Sequence, residues 1–328
     1  MANATFLYAG SAAGLAVAGK PGTNPDWHLT RQTLAGQPVQ ALALGTQIPV
    51  RALVSVPQGG LFHSANNGRD WMLTLPVAVA ALLADPSDPN MIYAAPRDPA
   101  TALSAVLCST DGGLTWQPLA PLPAAGTRVR SLALTSDAAG GRWLWAGLAT
   151  GGVVQAAPGG EWTGLALGLD PTQPVTALTT LSHAASDLVA ATPNGLYRLE
   201  AATRPTDRAW KGSDRVWRRQ TQAPAGVTLL LPIGRSATPG GSAALLALDS
   251  AGRLWRGAPD DAPWTALPLP DPADPATALA AHPDYPDRAY LGTAAGHIYE
   301  TRNRGTAWAD TALTLTSPIL TLGLVVIK

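Results

Sequence analysis

The sequence predicts an all-β protein, a seven-bladed β-propeller with four-stranded antiparallel blades, and three observations predict it. Tryptophan recurs at Trp27, Trp71, Trp116, Trp162, Trp217, Trp264 and Trp308, at spacings of 44, 45, 46, 55, 47 and 44 residues. A repeat of about 40 to 50 residues is the length of one four-stranded blade. An apolar Val-x-Ala-Leu pattern opens most units, at Val39–Leu42, Val79–Leu82, Val129–Leu132, Val175–Leu178, Val227–Leu230 and Ala276–Leu279. Behind it come hairpin signals, turn-forming residues between two apolar runs, as in VSVPQGGLF (54–62), LWAGLATGGVV (144–154), VAATPNGLYRL (189–199) and LALDSAGRLW (246–255).

Taken in order, the units run approximately 1–37 completed by 313–328, then 38–75, 76–122, 123–168, 169–222, 223–270 and 271–312. The first unit lacks an opening strand. The segment SPILTLGLVVI (317–327) is spare, and its Ile319–Leu322 falls in the Val-x-Ala-Leu column. This C-terminal strand is therefore expected to pair into the first blade and close the ring, leaving no open end to the stack of blades.

The stretch FLYAGSAAGLAVAG (6–19) is apolar enough to read as a secretory leader. However, YAGSAAGLAV (8–17) aligns without a gap on YLGTAAGHIY (290–299), matching Tyr8 with Tyr290, Gly10 with Gly292 and Gly14 with Gly296. Its first basic residue, Lys20, follows the apolar run, whereas a leader carries its charge ahead of it. The stretch reads as the second strand, turn and third strand of blade 1. Localisation stays open on this reading, with the cytoplasm favoured over export.

Composition narrows the function classes. The chain has 33 Gly, 30 Pro and 11 Trp but only 2 Phe, which suits many turns and one recurrent aromatic position. Charges are 13% of residues and balanced, 22 basic against 22 acidic, so no net field draws the chain to nucleic acid or an anionic membrane. No apolar run reaches the roughly 18 to 20 residues of a bilayer span. Lys20, Lys211 and Lys328 are the only lysines among the 22 basic residues; the arginine excess fits a codon bias. Cys108 is the single cysteine, set in the strand-like run AVLCST, and reads as a small buried hydrophobe.

The best-formed turn is STDGGLTW, from Ser109 to Trp116, which fits the pattern Ser-x-Asp-x-Gly-x-Thr-Trp through Ser109, Asp111, Gly113, Thr115 and Trp116. Weaker copies, SANNGRDW (64–71) and TRNRGTAW (301–308), keep Asn66, Gly68 and Trp71, and Asn303, Gly305 and Trp308. An Asp or Asn at this place accepts backbone N–H bonds within its own turn, and the Gly supplies a positive φ. The Trp is expected to bury between blades. A calcium loop would continue to a bidentate acidic ligand, which none of the three turns does, so no metal and no cofactor is expected.

These turns, with the period, resemble the Asp-box (BNR-repeat) sialidase-like propeller superfamily. The count of seven units is similar to the photosystem II assembly propellers, the sortilin-type propellers and the halves of xyloglucanases. The resemblance implies a fold and leaves activity open, because the superfamily includes enzymes, receptors and assembly factors.

The enzymes that the resemblance implies require residues that this sequence lacks or places in other contexts. A sialidase-like site implies an Arg-Ile-Pro motif, an arginine triad and a tyrosine–glutamate pair; the nearest string is IPVR (48–51), in the wrong order. The only glutamates are Glu161, Glu200 and Glu300, in a relic box turn or following third strands, on the face opposite the usual site. A xyloglucanase-like site needs two facing aspartates. Asp98, Asp170, Asp249, Asp271 and Asp274 are on the right face, but most sit in turn contexts that favour capping. The histidines His28, His63, His183, His282 and His297 are scattered, without ligand spacing, and are expected at turns or strand surfaces.

The x position of the Val-x-Ala-Leu column should line the channel mouth with Gln40, Ala80, Arg130, Thr176, Thr228, Thr277 and Leu320. Arg130, with Arg128 two residues earlier, is the candidate contact for a small anion; the bland alternative is an arginine stem packed along the rim. No catalytic residue is assigned. The expected function is a non-catalytic scaffold or assembly factor that binds a protein partner through rim loops, above all the departures at Pro96–Ser104 and Thr203–Arg215, with Asp98 and Asp170 as further contacts. Alternatives are a glycan-binding or glycan-hydrolysing propeller and a small-ligand binder.

Overall fold

A computed structural model describes residues 4–21, 26–98, 106–123, 126–136, 141–157, 159–165, 167–181, 188–201, 215–234, 244–258 and 263–327. Most of the two long rim departures, 99–104 and 203–214, and His183 lie outside the described residues.

The chain folds into seven four-stranded antiparallel sheets, the blades. Blades 2 to 7 each take four consecutive strands and begin with an innermost strand, at Ala41–Leu44, Val79–Asp85, Val129–Ser136, Ala177–Thr180, Val227–Ile233 and Ala276–Ala281. Blade 1 takes its innermost strand from the other end of the chain. Ile319–Ile327 pairs antiparallel with Ala4–Ser11, which pairs in turn with Gly14–Pro21 and that with His28–Thr33. The inner strands touch their neighbours all the way round, and Ile319–Ile327 contacts both Ala276–Ala281 and Ala41–Leu44. The stretch read against a leader is thus a hairpin inside blade 1, with Tyr8 and Tyr290 both fully buried at matching places.

The inner strands share an irregularity that the sequence pattern does not display. Register slips between Val79 and Ala81, Val129 and Ser131, Val227 and Leu229, and Ala276 and Ala278, leaving Ala80, Arg130, Thr228 and Thr277 unpaired as bulges. In blade 1 the slip passes over Leu320, and in blades 2 and 5 the N–H groups of Gln40 and Thr176 donate to the partners of the next residues, Ser55 and Ala191. A bulge bends its strand and re-aims one side chain. Here the re-aimed residue is the x position in every blade.

Among the described residues the core forms seven apolar clusters, one at each junction of adjacent blades. Each receives the unit's Trp from one blade and packs it on the blade before. Trp27 meets blade 7, Trp71 blade 1, Trp116 blade 2, Trp162 blade 3, Trp217 blade 4, Trp264 blade 5 and Trp308 blade 6. An indole buries on the order of 150 to 250 Å² when fully covered. Trp217 reaches that state, whereas Trp71, Trp116 and Trp308, behind the better-formed turns, are only half-buried. Where the second strands carry Gly, the blades come close. A Cβ at Gly292 would sit 2.5 Å from Ile319 Cγ2, on the strand that closes the ring.

The same junction holds a charge cluster. Glu300, 6% exposed, accepts from Arg302 Nε at 3.2 Å and Nη2 at 3.1 Å and from the Tyr290 hydroxyl at 3.3 Å. Lys20 of blade 1 and Arg288 each approach it to 3.8 Å. Desolvation acts to raise the Glu300 pKa, but these cations outweigh it and hold the carboxyl below its ordinary value. Lys20 also lies over the Trp27 ring at 5.7 Å, so one lysine ties blade 1 to both the charge and the aromatic part of the junction.

Two expectations about side chains are corrected here. His63, 5% exposed, is buried rather than on a strand surface, and His282, also 5% exposed, sits at a turn as expected but is buried there. His63 points inward from the third strand of blade 2, and His282 Nδ1 caps its turn by accepting from Asp284 N at 3.2 Å and Tyr285 N at 3.3 Å. Burial, with Arg288 beside it, lowers the His282 pKa to about 4. Glu200 and Glu300 lie within third strands, Gly195–Ala201 and His297–Thr301, rather than after them.

Candidate functional site

Antiparallel order puts two kinds of turn at opposite ends of the strands. The first strands begin, and second strands turn into third strands, on one face, here the mouth face. Third strands turn into fourth strands on the other, the box face.

On the mouth face an axial cavity of about 320 Å³ is lined by Gln40, Val79, Ala80, Arg97, Arg128, Val129, Arg130 and Thr176. Four of these, Gln40, Ala80, Arg130 and Thr176, are bulge residues of blades 2 to 5, so the bulge is what turns the column into the channel lining. Arg128 and Arg130 are exposed and line the cavity. Arg97 joins them and donates through Nη1 to Gln40 Oε1 of the neighbouring blade. Arg97 does not show in the Val-x-Ala-Leu column because it stands just beyond the second strand of blade 3, Asp88–Pro96, off the repeat. Its backbone N–H bonds to Ala78 O at 2.9 Å, beside the start of that blade's inner strand, and this contact carries it to the mouth. Thr176 spends its hydroxyl on the carbonyls of Val227 at 2.5 Å and Ala191 at 3.2 Å. The chemically available groups of the mouth are therefore guanidiniums and one amide.

The carboxylates of this face are mostly committed to turns. Asp170 accepts from Thr172 N at 2.9 Å and Oγ1 at 2.7 Å, bonds that lower its pKa. Asp249 accepts from Ala251 N, Arg253 N and Nε, and Trp255 Nε1. Asp271 accepts from Ala273 N at 2.9 Å. Asp274 accepts from Ala295 N at 2.8 Å and pairs with His297 Nδ1 at 3.0 Å. Asp98 is exposed beside Arg97, and neither it nor Asp170 lines the cavity.

The box face carries the three well-formed turns. Asp111 Oδ1 accepts from Ser109 Oγ at 2.8 Å, Leu114 N at 3.0 Å and Thr115 N at 2.9 Å, and Oδ2 accepts from Thr115 Oγ1 at 2.5 Å. Ser109 Oγ in turn accepts from Gly113 N at 2.8 Å. Asn66 and Asn303 reproduce the pattern through one oxygen each. Asn66 Oδ1 accepts from Ser64 Oγ at 3.0 Å and Asp70 N at 3.0 Å, and Asn303 Oδ1 accepts from Thr301 Oγ1 at 2.9 Å and Ala307 N at 2.9 Å. The glycines are positive in φ, at 94° for Gly113, 77° for Gly68 and 84° for Gly305. A Cβ on Gly113 would also lie 2.5 Å from Leu53 Cδ2 of blade 2. Trp116 Nε1 reaches Thr74 Oγ1 at 3.4 Å. Among the described residues no group of three or more His, Cys, Asp or Glu is placed to hold a metal ion.

Desolvation of Asp111 acts upward on its pKa, but the bonds from Thr115, Ser109 and Leu114 win and hold the carboxyl well below the usual carboxylate range. A folded pKa below the unfolded one means stability that is present above about pH 4 and lost as the pH falls. Asp111→Ala is expected to cost about 1 to 3 kcal/mol at neutral pH by leaving turn donors unmet. Asp111→Asn should cost less, since Asn66 and Asn303 hold the same turn. Denaturant melts at pH 7 and pH 3 check both; the gap between Asp111→Ala and the parent should narrow at pH 3.

No protein-family model and no curated protein matches the chain by sequence. Solved structures match by shape. A GH74 xyloglucanase from Xanthomonas campestris superposes with a TM-score of 0.59 at 19% identity over 83% of this chain, which spans only 45% of the xyloglucanase chain. YCF48 bound to D1 peptide superposes with a TM-score of 0.54 at 15% identity, over 84% of this chain and 82% of that one. YCF48 from Cyanidioschyzon merolae gives 0.56 at 12%, over 89% of each chain. The computationally designed Ika8 protein gives 0.59 at 15%, over 96% of this chain and 86% of the design. An enzyme, a peptide-bound protein and a design share one shape, so the likeness carries fold and not activity. The chain is a seven-bladed β-propeller of the kind seen in the xyloglucanase and YCF48 structures.

Proposed function

We propose that this chain is a non-catalytic Asp-box propeller that binds a protein partner through its rim loops, chiefly those of the mouth face. Of the two long departures, Pro96–Ser104 joins a second to a third strand, as the mouth-face turns do, whereas Thr203–Arg215 joins a third to a fourth strand, as the box-face turns do. The observation that carries the reading is the fate of the mouth face's carboxylates. Glycoside hydrolysis needs one carboxyl kept as an acid and another poised as base or nucleophile across the scissile bond. Asp170, Asp249, Asp271 and Asp274 instead accept hydrogen bonds within turns or from nearby groups, none of them lines the axial cavity, and the charged and amide groups that do are three arginines and a glutamine. Such a donor set suits recognition. YCF48, similar in fold, has been seen with a D1 peptide bound, which supports peptide or protein recognition on a ring of this shape.

The test is co-purification from the cells that make the protein, alongside turnover on a panel of glycosides. One protein recovered in stoichiometric amount, with no glycoside turned over, is the expected result. Turnover that disappears in Asp98→Asn or Asp170→Asn would replace this reading with the glycan one.

A further inference from the structure

We infer that the axial cavity at the mouth is a binding site for a compact, multiply charged oxyanion, a phosphate-bearing or polycarboxylate small molecule. This goes beyond the partner reading, which concerns the rim.

Three guanidiniums, those of Arg97, Arg128 and Arg130, line one cavity of about 320 Å³, a volume in the range of small-ligand sites. No lining residue carries a negative charge. The nearest carboxylate in sequence is Asp98, exposed beside Arg97 but outside the lining, and the neighbouring segments 99–105 and 124–125 contain no charged residue, so three guanidiniums face the cavity with at most one carboxylate next to them. Three like charges around a small volume repel one another, and an anion held among them removes that repulsion while gaining attraction to each. Arginine's planar fork meets phosphate and carboxylate oxygens two at a time.

The supports of these side chains are fixed. Arg130 is the bulge residue of its strand, which directs it to the axis. The Arg128 carbonyl accepts from Ala149 N at 2.8 Å, the Arg97 N–H donates to Ala78 O at 2.9 Å, and the Arg97 guanidinium is braced on Gln40. A preorganised donor set loses less freedom on binding. The opposite side of the ring places Thr228, Thr277 and Leu320 in the same column, so the charge is all on the side of blades 3 and 4. The ligand is expected to sit off the axis, toward those blades. The chain as a whole is neutral, so this is a local field and not a general attraction to polyanions.

Calorimetric titration of the purified protein with pyrophosphate and with citrate, at about 50 mM salt to limit screening, tests the site. The expected result is saturable one-to-one binding of at least one of them. Arg97→Gln, Arg128→Gln and Arg130→Gln should each weaken it about tenfold or more, as the loss of a charged hydrogen bond implies, and Arg128→Gln with Arg130→Gln together more than a hundredfold. Arg130→Lys should recover only part of the loss because it keeps the charge and not the fork. Arg69→Gln, on the box face, should bind like the parent. Melting curves confirm that the variants are folded, which is expected because all three side chains are exposed. Absence of saturable binding to either anion, or equal affinity in the Arg128→Gln, Arg130→Gln double variant, would overturn the proposal. The titration contains no partner protein, so its outcome is independent of the co-purification.

Discussion

A chain ending at Pro318 is expected to show no cooperative unfolding transition. The missing Ile319–Ile327 is the innermost strand of blade 1, hydrogen-bonded along Ala4–Ser11 and in contact with the inner strands of blades 2 and 7. It buries Ile319 at 0%, Val325 at 2% and Leu322 at 9% exposure. Each such side chain contributes about 1.5 to 3 kcal/mol, roughly 5 to 9 together, against a typical total stability of about 5 to 15 kcal/mol. The truncation also uncovers the hydrogen-bonding edge of Ala4–Ser11, which would pair with other chains. Because a truncated chain can fail to accumulate, Ile319→Ala provides a milder form of the experiment. It should lower stability by about 2 to 5 kcal/mol. A truncated chain melting at the parent's midpoint would contradict the closure.

Glu300→Ala is expected to be the most damaging single charge removal on the box face, at about 3 kcal/mol. The carboxylate is buried at the closing junction and is shared by Lys20, Arg288 and Arg302; without it, Lys20, in particular, stays covered with no counter-charge from Glu300. The cost sits at the low end for buried pairs because the Arg302 side chain is 59% exposed and can turn to water. Glu300→Gln should cost less than Glu300→Ala, since it keeps acceptors for Tyr290 and Arg302. The pH dependence has a definite sign. The folded Glu300 pKa is lowered, so its contribution is present above the ordinary glutamate value and lost as the pH falls through and below it. His282, lowered to about 4, adds in the same direction: the unfolded chain binds its proton first, so stability falls as the pH drops from about 6.5 to 4. Melting temperatures should therefore hold above about pH 7 and decline below it, and Glu300→Gln should flatten the part of the decline nearest pH 4.

Much of this ring was legible in the chain because its informative residues repeat. Seven Trp residues and the Val-x-Ala-Leu column each mark the same place in every blade, and an alignment of the chain with itself needs no knowledge of contacts. The spare segment at 317–327 was legible for the same reason, as a repeat element without a unit. What stayed hidden does not repeat. Arg97 reaches the mouth through one backbone bond at the end of a second strand, and no periodic pattern points to it. The Glu300 cluster joins Lys20 to residues about 280 positions away, and from sequence Glu300 read only as a residue following a third strand on the face opposite the usual site. The bulges were hidden as well. A one-residue slip in hydrogen bonding leaves the apolar pattern unchanged, yet it is the reason that Gln40, Ala80, Arg130 and Thr176 line a cavity. The half-burial of Trp116 was also outside the reach of the motif, which specifies the turn but not how far the neighbouring blade covers the indole.

The claim on which the functional account turns is that the mouth face is the working face. Photo-crosslinking residues placed at Ala13, Asn194 and Ala251, exposed in second-to-third-strand turns of blades 1, 5 and 6, sample that face. Crosslinkers at Leu114, in the box turn, and Met72, on the outer strand of blade 2, sample the rest; the two are 43% and 52% exposed. Irradiated in the cells that make the protein, the mouth-face positions should give one common crosslinked protein and the other two should not. Crosslinks to that protein from Leu114 or Met72 alone, with none from Ala13, Asn194 or Ala251, would contradict the account.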